Sequence, residues 1–218
     1  MIYVAAICAA ILAGLTPNIL RILPEPANPS PEKIPYARLA QTPNLAFSCA
    51  ALAAIGVGMI TVQASEHHAL PVWVVLCAAG VTLGFIDLRT RLLPFAIVTA
   101  TTWLIVLLLL VATWLSGDWS SLVRAFACAL AVWGFYRLSW QLSKKSIGYG
   151  DVRLSFVLGA CLGYVSITAT LVGVWLGFAL GSLLALLTLR NNNFANHTIA
   201  FGPAMIVGTV LSLAIHVP

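Results

Sequence analysis

The sequence predicts an all-α integral membrane protein, a polytopic bundle of about eight transmembrane helices. The prediction rests on three observations: 61% of the 218 residues are hydrophobic, only 8% are charged, and the mean hydropathy is +1.01. Soluble domains carry about 25% charged residues, so this chain has too few charges to solvate a globule of 23.1 kDa. A soluble enzyme, a disordered chain and a nucleic-acid-binding domain are excluded. Residues 1–218 are predicted to be one membrane-embedded domain.

Apolar runs of roughly 20 residues, the length that crosses a bilayer as a helix, define the elements in order. Residues 2–20 are not preceded by the basic residues of a signal peptide, which predicts a retained helix. Residues 21–43 hold six prolines and predict an extended polar loop. Later spans are predicted at 44–64, 70–87, 94–115, 119–142 and 199–216, with two more from a division of 152–189 near 164–169.

The basic residues predict the orientation of the chain. With the N-terminus outside, ten of the eleven Lys and Arg residues lie in or beside inner loops, and only Arg124 lies near an outer loop. Lys and Arg favour cytoplasmic loops, so the chain is predicted to be N-out/C-out in the plasma membrane, with 21–43 as a cytoplasmic loop. The net charge of +5 follows from this bias and from the anionic inner leaflet. It does not indicate nucleic acid.

Two of the six acidic residues are predicted to lie at the inner edge of the bilayer. Asp87 ends the apolar run 72–86 and Asp151 opens another, and ionisable groups at that depth indicate function. If their helices touch, the two carboxyls can share one proton, as in aspartic proteases, where one carboxylate activates water and the other carboxyl polarises the peptide carbonyl. The alternative is two interfacial aspartates that extend to solvent or pair with Arg89 and Arg153.

Glycines accompany both aspartates. GxxxG pairs at 80–84 and 159–163 let membrane helices approach closely, which favours contact between the two aspartate helices. Gly148 and Gly150 stand directly before Asp151 and permit positive φ and the close approach of another backbone, as an extended substrate requires. The alternative is a flexible turn into the helix.

In these motifs the chain resembles the type IV prepilin peptidases, membrane aspartic proteases with a GxGD signature. The family's first motif, an aspartate followed by a short basic stretch and Leu-Pro, reads IDLRTRLLP at 86–94. The second motif reads GYGDVRL at 148–154. Leu-Gly-Ala at 158–160 and Phe-Gly-Pro-Ala at 201–204 are also similar to segments of that family. The resemblance covers roughly residues 71–215.

The resemblance implies that Asp87 and Asp151 are the catalytic pair and that no metal or cofactor takes part. Substrate-binding or supporting roles are predicted for four further residues of the motifs: Gly148, Gly150, Pro94 and Arg153. The implied reaction removes the short basic leader of prepilins or pseudopilins at the cytoplasmic face, just before the apolar helix of the mature protein. The implied partners are those substrates and the lipid bilayer.

The chain also departs from the family. Bifunctional members carry a cytoplasmic domain with a four-cysteine zinc site between the first two helices, whereas 21–43 contains no cysteine. A zinc site is therefore not expected, and the methyltransferase activity linked to it is not implied. Phe95 follows Leu-Pro, where the family often has Asp or Asn. Two alternatives stay open: a related GxGD protease with a preflagellin-like substrate, and a cation-coupled transporter that uses both aspartates.

Overall fold

The computed structural model describes residues 1–24, 34–62, 68–142, 148–191 and 200–217, and its regular elements there are all helices. The predicted all-α class is confirmed. In chain order the helices are α1 (Ile2–Gly14), α2 (Thr16–Ile22), α3 (Tyr36–Leu39), α4 (Leu45–Thr61), α5 (Leu70–Thr90), α6 (Phe95–Ser116), α7 (Trp119–Leu142), α8 (Tyr149–Val165), α9 (Ile167–Asn191) and α10 (Gly202–His216).

Within those described ranges, five helical stretches are long and apolar enough to cross a membrane. They are Ile2–Ile22, Leu70–Thr90, Phe95–Ser116, Trp119–Leu142 and Ile167–Leu187. Helices α4 and α10 are shorter apolar helices. The chain is therefore a multi-pass membrane protein, while the count of eight spans and the N-out/C-out orientation stay predictions.

The span predicted at 2–20 is divided into two helices. Pro17, at the start of α2, has no N–H to donate to the carbonyl of Ala13. The Thr16 hydroxyl donates to that carbonyl instead, with its Oγ1 2.6 Å from the Ala13 oxygen. Thr16 Oγ1 also lies 2.8 Å from Thr82 Oγ1, which joins the break to α5.

Two other predicted boundaries are refined by the structure. The polar loop predicted at 21–43 contains α3, because Tyr36 and Leu39 are buried against the bundle, and 25–33 lie outside the described residues. The predicted division of 152–189 lies at Ser166, an extended residue between α8 and α9. That position falls inside the predicted interval 164–169, so the division is confirmed.

Helices α5 and α8 carry the most buried side chains of the bundle, whereas α6, α7 and α9 present large apolar side chains outward. Helix α5 packs against α1, α4 and α6, and α8 packs chiefly against α7. Helix α10 packs against both α5 and α8. It therefore lies between the two helices that carry the acidic residues of interest.

The GxxxG pairs do not join the two aspartate helices, so that expectation is wrong. A Cβ on Gly80 of α5 would lie 2.9 Å from Cγ2 of Ile206 on α10. A Cβ on Gly163 of α8 would lie 3.0 Å from Cα of Ala125 on α7. Each pair admits a third helix because the glycine faces point away from the opposite aspartate helix.

Candidate active site

Asp87 lies in the last turn of α5. The helix continues to Thr90, whose hydroxyl donates to the Ile86 carbonyl at 2.8 Å. It ends at Arg91, which adopts a left-handed conformation with φ 54° and donates its N–H to the Asp87 carbonyl at 2.8 Å. This closing turn fixes the backbone of Asp87, so the carboxylate is presented by a regular helix and not by a loose end.

Asp151 lies in the first turn of α8. Its N–H donates to the carbonyl of Gly148, the residue that caps the helix, at 3.1 Å. The Gly148 N–H donates in turn to the Asp151 carboxylate, so the acid at the third helical position satisfies the capping residue's amide, as in a capping box. A Cβ on Gly148 would lie 3.2 Å from Asp151 Oδ2. In the GxGD motif the Asp151 carboxylate therefore lies directly against the backbone of Gly148, where no side chain intervenes.

The first residue of α10 brings the two acids together. The Gly202 N–H donates to Asp87 Oδ2 at 3.1 Å. A Cβ on Gly202 would lie 2.9 Å from Asp87 Oδ2 and 3.5 Å from Asp151 Oδ1. Both carboxylates therefore lie against the same point of bare backbone, and any larger residue there would occupy the space between them.

Both acids are buried, with Asp87 4% and Asp151 5% exposed. They do not extend to solvent, as the alternative reading of two interfacial aspartates required. Their basic neighbours in sequence are directed at aromatic rings instead. The Arg89 guanidinium carbon is 5.7 Å from the ring centre of Phe85, and that of Arg153 also lies over aromatic side chains. The alternative that these arginines pair with the aspartates is therefore wrong.

Arg153 lies between two rings, with its guanidinium carbon 4.5 Å from the ring centre of Phe95 and 4.7 Å from that of Tyr149. Tyr149 is the variable residue of the GxGD motif, and its ring also contacts Trp140 edge-on at 5.2 Å. Phe95, the residue that departs from the family pattern, is thus the partner of a cation. Arg153 therefore joins α6 to the start of α8.

Gly150 faces the segment that leaves α5. A Cβ on Gly150 would lie 2.7 Å from the Leu93 Cβ, closer than real Cβ atoms approach one another. Pro94 follows Leu93 and caps α6 in an extended conformation. The two motifs predicted to form one site are therefore packed on each other at this point, with the Leu93 side chain against the backbone of Gly150.

Two carboxyls that are buried against one point of backbone resist double ionisation, and a pair of this kind can share one proton. Such a pair can act as general base and general acid on opposite sides of one reaction. Among the residues that the structure describes, no three His, Cys, Asp or Glu side chains cluster as metal ligands would.

An apolar groove runs along α4, α5 and α10. Its volume is about 560 Å³. Its lining includes Leu88 and Arg89, which directly follow Asp87, and Pro203, which directly follows Gly202. The groove therefore opens beside the residues that hold the acid pair.

The residues around the meeting point of the acids have no chemical signature in the sequence. Phe201 and Gly202 only resemble a family segment, and Tyr136 on α7 belongs to no motif. Tyr136 is buried, and its ring stacks on that of Phe178 at 5.4 Å and lies 6.2 Å from that of Phe201. The sequence signal that points to this site is the pair Gly202-Pro203 near the start of the predicted span 199–216. Pro is typical of the first turn of a helix, where the backbone N–H groups have no partner within the helix.

Comparison with known proteins adds a family. Residues 74–189 match the type IV leader peptidase family. The chain is 31% identical over 143 residues to a prepilin leader peptidase/N-methyltransferase of Pectobacterium carotovorum subsp. carotovorum, covering 64% of this chain and 49% of that protein. It is 33% identical over 140 residues to a protein of the same name from Aeromonas hydrophila, covering 61% and 45%.

The chain spans about half the length of the curated relatives that it matches. No solved structure matches it. The matched family region includes Asp87 and Asp151 and ends before Gly202. The hydrogen bond from the first amide of α10 to Asp87 is an observation of this structure.

Proposed function

Because the chain belongs to the type IV leader peptidase family, we propose that it is a membrane aspartic endopeptidase that removes the leader peptide of prepilin-like proteins. The observation that carries the proposal is the meeting of Asp87 and Asp151 at Gly202. We propose the cytoplasmic face of the plasma membrane as the place of the reaction, because the distribution of Lys and Arg predicts that α5 ends and α8 starts on that side.

The proposed chemistry uses the acid pair with one shared proton. The ionised carboxylate takes a proton from a water molecule, whose oxygen forms a bond to the carbonyl carbon of the scissile peptide, while the protonated carboxyl donates its proton to the carbonyl oxygen. The C–N bond of the resulting tetrahedral intermediate then breaks. The leaving nitrogen takes the proton held by the first carboxyl, and the second carboxyl recovers its own from the hydroxyl as the new carboxylic acid forms.

The supporting residues have defined parts in this proposal. Gly148 and Gly202 supply backbone amides to the two carboxylates, which orients both oxygens without placing a competing positive side chain against them. Gly150 allows the two motifs to approach, and Pro94 begins the helix that follows. Arg153 stacks at the edge of the site rather than entering it.

The test is a cleavage assay on the full chain in membrane vesicles. The substrate is a prepilin with a basic leader followed by an apolar helix, and the product's new N-terminus is read by mass spectrometry. We expect one cut, directly before the apolar helix, and no added methyl group on the new N-terminus, since 21–43 lacks the cysteines of a zinc site. A full-length substrate after prolonged incubation would contradict the proposal. Efficient cutting of a preflagellin-like substrate in its place would support the related protease.

A further inference from the structure

We propose that Phe201 is a positioning residue: its ring, seated on the bare backbone of Gly181, sets the distance between the first amide of α10 and Asp87. The inference rests on the proposed function, because the amide matters for cleavage only if Asp87 takes part in it. It concerns residues outside both acid motifs and assigns a role to one glycine of α9.

The space beside Gly181 is filled by an aromatic ring. A Cβ on Gly181 would lie 2.1 Å from Cε2 of Phe201 and 2.6 Å from Cδ2. Real Cβ atoms essentially never come closer than 3.0 Å to a heavy atom outside their own stretch of chain, so the ring occupies the volume that any other residue at position 181 would need. The fit between helix and ring is specific to glycine.

Two further aromatic rings contact the ring of Phe201. Its centre lies 5.2 Å from that of Phe178, one turn earlier on α9, and 6.2 Å from that of Tyr136 on α7. Phe178 and Tyr136 are themselves stacked, with ring planes 23° apart. Phe201 is partly buried. Because its ring is bordered by α9 and by two other rings, we expect an added Cβ at position 181 to displace its backbone as well as its ring.

That backbone carries the hydrogen bond to the acid. Phe201 is the capping residue of α10, and the peptide unit that follows it supplies the Gly202 N–H, which donates to Asp87 Oδ2 at 3.1 Å. Because Phe201 and Gly202 share one rigid peptide plane, a shift of the capping residue changes this distance directly. A misplacement of about 1 Å in a catalytic arrangement lowers rate by about 100-fold.

Gly208 of α10 behaves differently. A Cβ on Gly208 would lie 2.5 Å from the backbone nitrogen of Gly177, so that contact joins two helix backbones and a substitution there moves whole helices. At Gly181 the obstructing atoms belong to one side chain. A clash at Gly181 can therefore be relieved by shortening Phe201, which gives the inference a rescue test.

The experiment compares Gly181→Ala with Gly134→Ala in the full chain. Gly134, on α7, is a matched control because a Cβ there meets no atom within 4 Å. For Gly181→Ala we expect kcat on a prepilin to fall by about 10- to 100-fold with KM within about twofold. Gly134→Ala should cut like the wild type. The double variant Gly181→Ala/Phe201→Leu, whose residue 201 lacks Cε2 and Cζ, should regain about tenfold in kcat over Gly181→Ala.

A second readout does not depend on cleavage. The sequence has one Phe-Gly pair, at 201–202, so carbonyl-¹³C-Phe and ¹⁵N-Gly labelling isolates the Gly202 amide in an NMR spectrum. Its proton should resonate downfield in the wild type, since it donates to a carboxylate. We expect an upfield shift in Gly181→Ala and no shift in Gly134→Ala.

The outcomes separate the two proposals. Equal kcat and an unmoved Gly202 resonance in Gly181→Ala, or a double variant no better than Gly181→Ala, would overturn the positioning role. A wild type that cuts no prepilin, with a Gly202 resonance that still responds to Gly181→Ala, would overturn the proposed function and leave the packing relation standing. If Gly181→Ala does not fold, Phe201→Leu alone decides: wild-type kcat in that variant would remove Phe201 from any positioning role.

Discussion

The two ends of α8 hold charges in opposite ways. At its start, Asp151 is buried, accepts a hydrogen bond from the capping amide of Gly148 and faces a second carboxylate. At its end, Arg124 of α7 reaches across and donates to three successive carbonyls, those of Gly163, Tyr164 and Val165. A negative group at the start of a helix and a positive group at its end are both favoured by the helix dipole. Only the start of α8 has a second acidic group, Asp87, beside the first.

This difference separates structure from function within one helix. Carbonyls at a helix end need partners, and Arg124 supplies them at distances of 2.7 to 3.1 Å, so that end is stable by itself. A second buried acid beside Asp151 does not stabilise the fold, because like charges at close range repel. We therefore expect substitutions at the acid end to change activity and substitutions at the arginine end to change stability.

The largest effect is expected for Asp87→Asn and for Asp151→Asn. Each removes one of the groups that exchange protons with the substrate, and general acid–base groups contribute about 10²- to 10⁴-fold to rates. Prepilin cleavage in membranes should therefore fall by at least about 100-fold, with normal expression and insertion. Asp118→Asn, at the exposed connection between α6 and α7, is the matched control. Wild-type cleavage by either acid variant would remove that residue from the chemistry.

A smaller effect on activity is expected for Gly150→Val. The added Cβ would lie 2.7 Å from the Leu93 Cβ, which forces the two acid motifs apart at their point of contact. We expect cleavage to fall by about 10- to 100-fold, with the folded protein still recovered from membranes. Gly58→Val on α4, where a Cβ meets no atom within 4 Å, serves as the control. Loss of the folded protein, with no intact inactive form, would mean that Gly150 serves only the fold.

The arginine end should respond through stability. Arg124→Gln removes charged hydrogen bonds to the last carbonyls of α8, and hydrogen bonds of charged groups contribute about 1.5–3 kcal/mol. We expect a lower thermal midpoint in detergent and, for the protein that stays folded, a kcat within about twofold of wild type. Arg21→Gln, an exposed arginine of α2, controls for loss of a positive charge. A lower kcat at an unchanged midpoint would abolish the contrast between the two ends.

The smallest effect concerns pH and the connection that precedes Arg124. Hydrogen bonds from Ser120 and Ser121 lower the pKa of Asp118 from 3.8 to about 2. Since the folded pKa lies below the unfolded one, the ionised carboxylate stabilises the fold above pH 3.8, and this contribution is lost as pH falls towards 2. Between pH 3.8 and pH 2 the thermal midpoint of the wild type should fall slightly more than that of Asp118→Asn. If the thermal midpoints of the two proteins fall equally with pH, these hydrogen bonds add no stability.

Much of the site was predictable because its chemistry is local. Asp87 and Asp151 stand at the borders of long apolar runs, where acids are rare, and the glycines before Asp151 mark a close backbone approach. The break at Ser166 was predictable because the apolar run is too long for one span. Pro17 also stood in the sequence, and its division of the first span illustrates that a local breaker can act inside an otherwise apolar stretch.

Helix contacts were less accessible. The GxxxG pairs correctly indicate close packing, but small residues carry no information about which helix will fill the space, and these pairs pack on α10 and α7. Arg89 and Arg153 stood beside the acids in sequence, yet both lie over aromatic rings. Phe85 and Tyr149 each lie four residues before the arginine on the same helix, so those two contacts are local. Only the contact of Arg153 with Phe95 depends on how two helices, α8 and α6, pack together.

By itself the sequence determined that this chain is helical, lies in a membrane and carries two acids at its edge, because hydropathy and the placement of scarce charges are properties of the residues in order. Only the tertiary structure decided how those acids meet. Neither aspartate helix supplies the meeting point; the first amide of α10 does, at Gly202. A backbone N–H has no residue-specific signature, and its direction depends on how α10 packs between α5 and α8.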